Sequence, residues 1–460
     1  GPTFPWIDLL LATVGTMVSR GRSTKRGARG GAVGCLAASS STGSFQVAGV
    51  DLLFTGCSGN IYDYFGPKTS TANITQVVSS VGMDNVDPTD IFQVFKDDDK
   101  RVCVGKGMYF GQGTIIEHSH SDENGGAIAA TFCDVVLEKM ILTHSTSKEG
   151  DGGGLYLSTN SNLEIRNHSK FFNNTATSGS GGAIACSDCA SIQFTSGTEF
   201  QSNKAGSSGG AVHLRSPKSP VSSVGTVFLA NVAMENGGAV DSHDGNWTSL
   251  GDVFESNVAV EGSGGAFSSF ATTVRFDAST TCRRNTALQG GGGCLLWEPE
   301  AENVEDEKWK TLEPLIGDMS LMTSNDAAYG ATLATPGASL RATAVDSTSS
   351  TAMLTRMTTN DKNILAPVHP KVEVLDFYGA VVKGKFAKAV EVEANLLNDG
   401  AELFGGTVAK ASKNGTTSFS DLGIQGQPGS GPHSITFEAT SGTSLLKTLT
   451  SVSAWIAVCS

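Results

Sequence analysis

No stretch of this chain supplies the roughly 20 consecutive apolar residues that a membrane-spanning helix requires. The nearest, Phe4 to Val18, is interrupted by Pro5 and Asp8. Proline is scarce, 13 in 460 residues, which excludes a collagen-like chain. Charged residues are few as well, 17% against 39% hydrophobic. That balance provides enough apolar side chains to offset ordering entropy, and it argues against a disordered chain. Cations are outnumbered: 32 Lys and Arg face 45 Asp and Glu, a formal net charge of −13. Such a surface repels phosphate backbones and anionic membranes, so nucleic acid is not an expected partner. The one basic cluster, Arg20, Arg22, Lys25, Arg26 and Arg29, lies in a Gly/Ser/Thr-rich stretch and reads as a solvated leader. Cations at 20–29, then the apolar Ala32 to Ala38, then small residues resemble a short secretory signal, so residues 1–45 are read as a leader or irregular N-terminal segment.

Cysteine is too sparse for a scaffold stapled mainly by disulfides. The nine (35, 57, 103, 133, 186, 189, 282, 294 and 459) still permit several bridges, and the odd count leaves at least one unpaired. Five N-x-S/T acceptor sequences occur, at Asn73, Asn167, Asn173, Asn246 and Asn414. Together these features tilt the reading toward an extracellular or cell-surface glycoprotein with disulfides.

Glycine is what the chain has in excess, 56 residues, and its placement is periodic. A Gly pair followed by a small and then an apolar residue begins at Gly125, Gly152, Gly181, Gly209, Gly237, Gly264 and Gly292, with spacings of 27, 29, 28, 28, 27 and 28. A second phrase runs in phase, an apolar residue with Asn three positions later: Phe171/Asn174, Phe200/Asn203, Phe228/Asn231, Phe254/Asn257 and Cys282/Asn285. Ile115/His118 and Ile141/His144 read as degenerate early copies, and Met322/Asn325 as a final one. Helical solenoids repeat at about 33 to 47 residues and do not tolerate a double glycine in every unit. Alternating residues after each Gly pair, such as Val212/Leu214 against His213, instead mark half-buried strands.

About 28 residues accommodate about three strands with tight corners. Coiled so that each repeat stacks on the last, they form a parallel β-helix, with Gly at corners, an Asn ladder and a Phe stack inside. These residues are therefore read as architectural. The expected fold is all-β: a right-handed parallel β-helix followed by a small Ig-like β-sandwich. Residues 46–114 are expected to form capping coils, tied by Cys57 and Cys103, and Asp97, Asp98 and Asp99 to form a solvated turn, with a calcium site as the alternative. The repeats occupy 115–335, with an acidic insertion at 298–314. Residues 336–367 read as a linker. Over 368–460, alternating segments around Val372/Val374, Val390/Val392 and Ile435/Phe437 with a turn at Asn414-Gly415 indicate the sandwich.

The phrases F-x-x-N and G-G-A-[ILV] resemble the repeats of chlamydial polymorphic outer-membrane proteins, and similar right-handed β-helix repeats in large cell-surface proteins of algae and other protists. The resemblance covers roughly residues 115–335. It implies an adhesive or assembly role at a cell surface, with other surface proteins, copies of the same chain in a filament, or glycans as partners. The chain departs from the bacterial proteins in lacking any visible β-barrel translocator, the part on which autotransport depends. The segment from Asn414 to Phe437 resembles Ig-like modules of surface proteins, which serve as spacers or docking units.

Parallel β-helices also carry sugar-cleaving enzymes, so catalysis has to be weighed. The outward positions His213, Arg215, Asp241 and His243 fall on adjacent repeats and could bind a sugar. The flanking repeats offer Ala185, Ser187, Ser268 and Phe270 there, so no extended acidic groove follows. Cys186-x-x-Cys189 lacks a second pair at zinc-finger spacing and reads as a local disulfide or buried thiols. The Gly290–Gly293 run lacks the Lys of a phosphate loop. No cofactor or metal is implied, the cluster reads as a surface patch, and the chain as a non-enzymatic structural or adhesive protein. A carbohydrate-binding or carbohydrate-cleaving β-helix is the alternative.

Overall fold

The computed structural model describes residues 115–195, 197–299, 312–343, 370–397, 401–426 and 433–441, together with nine strands outside those ranges. These strands are Met17–Ser19, Val33–Gly34, Leu53–Thr55, Gln93–Asp97, Lys100–Val104, Gly107–Phe110, Met353–Leu354, Ile364–Pro367 and Val452–Ile456. Cys35, Cys57, Asn73, Asp98, Asp99, Cys459 and most of the acidic insertion lie outside the described residues. The chain divides into two compact units, the first holding most of the repeats and the second Gln289–Gly292, Leu296–Leu312 and Ala327–Ser460.

The first unit is a parallel β-helix of about seven turns. Each turn contributes one strand to each of four parallel sheets, one more than the repeat length suggests. Sheet I contains Lys170–Phe172, Glu199–Gln201, Val227–Leu229, Val253–Glu255 and Thr281–Arg283. Sheet II is made mostly of two-residue strands such as Lys204–Ala205 and Val232–Ala233. Sheet III carries Ile184–Ser187, Val212–Arg215, Val240–His243 and Phe267–Phe270. Sheet IV carries Asn162–Arg166, Ser191–Phe194, Val221–Val224, Asn246–Leu250 and Thr273–Phe276. The fourth strand escapes a reading of the sequence because two residues are too short to show alternation.

Three files of residues run through the turns. Phe171, Phe200, Phe228 and Phe254 are fully buried, with successive ring centroids 4.8, 5.1 and 4.8 Å apart, the spacing of paired strands. Cys282 continues this file and is disulfide-bonded to Cys294. The Gly pairs stack through backbone bonds: the Gly182 N–H donates to Gly209 O at 3.1 Å and the Gly210 N–H to Gly237 O at 3.0 Å. Gly209 needs its φ of 67°, and a Cβ on Gly210 would lie 2.0 Å from Gly238 O. The Asn file is a continuous ladder from Asn174 through Asn203, Asn231, Asn257 and Asn285 to Asn325.

In the first two turns the register is displaced by one residue from the sequence reading. Leu142 and Ile116 align with Phe171, so the Phe file continues through them and not through Ile141 and Ile115. Ser145, not His144, takes the Asn position, and its N–H donates to Asn174 Oδ1 at 3.0 Å. His118 and His144 instead occupy a corner in the left-handed region, at φ 53° each, as do Asn173, Ser202, Ala230, Ser256 and Arg284. A corner that accepts so many residue types is imposed by the coil, not by local preference.

Beyond the acidic insertion the chain returns to sheet IV: Leu315 and Ile316 pair with Arg275 and Phe276. Strands Leu53–Thr55 and Gly107–Phe110, from the segment read as capping coils, pair in parallel with Ile115–Glu117 and Asp134–Glu138.

The second unit holds three small sheets. One joins Ser339–Thr343, Lys371–Leu375 and Thr416–Ser418; another joins Ile364–Pro367, Gly423–Gly426 and Ala401–Phe404. The largest includes Val452–Ile456, His433–Ser441, Glu391–Leu396 and Val408–Lys410. Val372, Val374, Val392, Phe419, Ile435 and Phe437 share its buried core. The stretch 336–367, read as a linker, contributes strands to these sheets. Among the described residues no helix is long and apolar enough to cross a bilayer.

Candidate functional site

Sheet III places alternate side chains inward and outward. Val212 and Leu214 enter the core, while His213 and Arg215 face out; on the next turn Asp241 aligns with His213, and His243 with Arg215. The four residues singled out in the sequence are thus neighbours. Asp241 is nonetheless only 1% exposed, because the imidazoles flank it. His213 Nδ1 and His243 Nε2 each lie 3.0 Å from the same oxygen, Asp241 Oδ2. The two rings meet edge-on at 5.7 Å, and Phe270 of the following turn lies 5.5 Å from the His243 ring.

Burial alone would raise the Asp241 pKa, but hydrogen bonds and charge from His213 and His243 outweigh it and hold the carboxyl well below the usual range. For His243, burial works downward; the Asp241 bond and charge, helped by Asp244 and opposed by Arg215, raise its pKa above 6.5. The arrangement therefore stores a paired charge. Its buried carboxylate is held by the two histidines with the exposed Asp244 beside His243, and the adjacent turns carry Ala185, Ser187, Ser268 and Phe270 at the aligned positions. Among the described residues no group of three or more His, Cys, Asp or Glu is arranged to hold a metal ion.

A second carboxyl, not singled out by the sequence, lies at the corner before Val253–Glu255. Asp252 is fully buried and its Oδ1 accepts the Thr226 N–H at 2.8 Å. Burial pushes its pKa up to about 6, with Ser249, Thr226 and Ser223 offsetting part of that rise. A folded-state value above the ordinary 3.8 means that the folded form holds the proton more tightly, so stability falls as pH rises from about 4 to about 6. Asp252→Asn retains the acceptor and removes the titration. It is expected to raise stability at pH 7 by about 1–3 kcal/mol and to flatten that slope, measured by urea unfolding at pH 4.5 and pH 7.

Cys186 and Cys189 form a disulfide across the corner at Asp188, and Cys133 is disulfide-bonded as well. Of the acceptor asparagines, Asn167, Asn173, Asn246 and Asn414 are exposed. Asn167 Nδ2 donates to Glu138 Oε1 at 2.7 Å on the turn before.

Stacked turns with glycine, asparagine and phenylalanine files define a repeat protein of the parallel β-helix class. Residues 168–187, which include Phe171, Asn174 and the Gly181–Gly182 pair, match the family model described as the Chlamydia polymorphic membrane protein (Chlamydia_PMP) repeat. The chain is a β-helix repeat protein similar to that family. No curated protein and no solved structure matches it.

Proposed function

We propose that this chain is an extracellular or cell-surface structural protein whose β-helix builds or decorates an adhesive or filamentous assembly, without catalysis. The observation that carries the reading is the match of a surface-protein repeat to a coil whose motif residues are all used in its own construction: Phe in the stack, Asn in the ladder, Gly at the corners. Disulfides at Cys186–Cys189 and Cys282–Cys294 fit an oxidising compartment, and exposed acceptor asparagines fit a glycoprotein. Other surface proteins, copies of the same chain, or glycans are the partners. The burial of Asp241 between two histidines gives the sugar-cleaving alternative no support.

Immunogold labelling of intact native cells is expected to decorate the surface; labelling that requires permeabilisation would overturn the location. A reducing-sugar assay on uronate and neutral polysaccharides is expected to show no turnover. Turnover abolished by Asp241→Ala would make the protein an enzyme.

A further inference from the structure

Asn173 and Asn174 are adjacent in sequence and meet opposite fates in the coil. Asn173 is exposed at a corner, at φ 51°, whereas Asn174 is fully buried in the ladder. The acceptor sequence Asn173-Asn174-Thr175 falls on the exposed residue, because Thr175 stands two places after it and Ala176 two places after Asn174. Ala176 aligns in sheet II with Ala205, Ala233, Ala259 and Ala287, all of them buried. Each of these alanines follows a ladder asparagine by two places, so none of Asn174, Asn203, Asn231, Asn257 and Asn285 opens an N-x-S/T sequence.

Packing alone does not require alanine there. The same file begins with Ser121 and Ser147, both fully buried, and Ser147 Oγ donates to Glu123 O at 2.7 Å. A hydroxyl therefore fits this position. In those turns the residue two places earlier is Ser119 or Ser145, and Ser145 holds the ladder place in its turn. Serine thus enters the file where the ladder residue is not asparagine, and alanine stands where it is. Steric demand does not link the two choices; the acceptor rule does.

An N-linked oligosaccharide is attached while the chain is still extended, so burial in the finished coil cannot shield a ladder asparagine. Only its sequence can. In the attachment the asparagine Nδ2 bonds to the anomeric carbon of an oligosaccharide carried on a lipid diphosphate. The bond from that carbon to the diphosphate oxygen breaks, the lipid diphosphate leaves, and Nδ2 gives up one proton and keeps the other. At Asn173 the remaining N–H can still hold the exposed 3.4 Å contact with His144 Nε2. At Asn231 both N–H groups are in use, donating to Phe200 O at 2.9 Å and Asn257 Oδ1 at 3.0 Å in a fully buried place. A glycan on that nitrogen would break the ladder.

Taking the chain as a surface protein, we propose that Asn173 carries an N-linked oligosaccharide at its corner, and that the alanine file of sheet II keeps the ladder asparagines from receiving one.

Native protein treated with peptide-N-glycosidase in heavy-oxygen water tests the first half by mass spectrometry, since each occupied asparagine becomes a labelled aspartate. Label is expected at Asn173 and at no ladder asparagine. A bare Asn173 on a chain that immunogold places at the surface would reject the glycan and leave the surface reading standing; label within the ladder would reject the exclusion. Ala233→Ser tests the second half, because it opens an acceptor sequence at Asn231 with a residue the file already accepts elsewhere. In a secreting host that attaches N-linked glycans, its yield is expected to fall at least several-fold below the parent's. In the same host with attachment blocked, it is expected to match the parent treated alike. A parental yield in the first case, or an equal loss in both, would show that alanine serves packing alone and would overturn the exclusion.

Discussion

Gly238→Ala is expected to destabilise the β-helix by more than about 4 kcal/mol, the range reserved for changes that a packed interior cannot absorb. A Cβ at this position would lie 2.1 Å from Gly265 O and 2.6 Å from the backbone N and C of Val258. All three are main-chain atoms of the next turn, so no side-chain rotation gives relief. The turns would have to separate, and the Gly238 N–H to Gly264 O bond of 3.0 Å would be lost with the others in that rung. Gly379→Ala supplies the comparison. Gly379 has a φ of 85° but nothing within 4 Å of an added Cβ, so only left-handed strain of about 1–2 kcal/mol is expected. Thermal and urea unfolding of the two variants should differ widely. Equal, small losses in both would mean that the Gly pairs are not where successive turns touch.

That contrast shows why some of the architecture is legible in the sequence. The second Gly of each pair is dictated by a steric limit that no other residue meets, so it recurs and the period can be counted. The Phe file and the Asn file are similarly restrictive, one by the volume it fills and the other by its donor and acceptor pattern. The corner at Asn173, Ser202, Ala230, Ser256 and Arg284 leaves no such trace. Its left-handed conformation is enforced by the strands on either side, so residue identity there is nearly free, and His118 and His144 could be misassigned to the neighbouring Asn position.

The candidate site was legible in membership but not in state. Period-two alternation places His213, Asp241 and His243 on the outward face of sheet III, and outward positions are read as solvated. Burial of Asp241 comes from the histidines of its own and the preceding turn, a packing effect that a repeat alignment does not display. Asp252 left no signal at all. It is one acidic residue among 45 Asp and Glu, and only the coil puts it at a corner where Thr226 reaches it. Strands Ser339–Thr343 and Ile364–Pro367 were obscured for a related reason: their apolar alternation is weak, and the partners that complete their sheets lie far along the chain.

Removing one rung of the asparagine ladder should be nearly as damaging as the glycine clash. Asn231 Oδ1 accepts from Asn203 N–H and Asn203 Nδ2, each at 3.0 Å; its own Nδ2 donates to Phe200 O at 2.9 Å and to Asn257 Oδ1 at 3.0 Å. Asn231→Ala deletes all four bonds in a fully buried position and strands the Asn203 donors and the Phe200 carbonyl. With each unsatisfied group worth about 1–3 kcal/mol, the expected loss is about 3–5 kcal/mol. Asn231→Asp is the sharper probe, because it preserves size and the Oδ1 acceptor but turns the donor into a second acceptor facing two oxygens. It should be less stable than Asn231→Ala at pH 7 and should recover part of the difference as pH falls toward about 4, because burial raises the new carboxyl's pKa and its protonated form can donate again. Asn325→Ala, at the half-exposed end of the file, breaks the bonds with Asn285 and Cys282 but leaves room for water to replace them. Its loss should be clearly smaller. Urea unfolding of the three variants at pH 7 and pH 4 therefore orders them, at neutral pH, with Asn231→Asp worst, Asn231→Ala next and Asn325→Ala mildest. An Asn231→Asp protein as stable as the parent would show that the amide nitrogen is not what joins the turns.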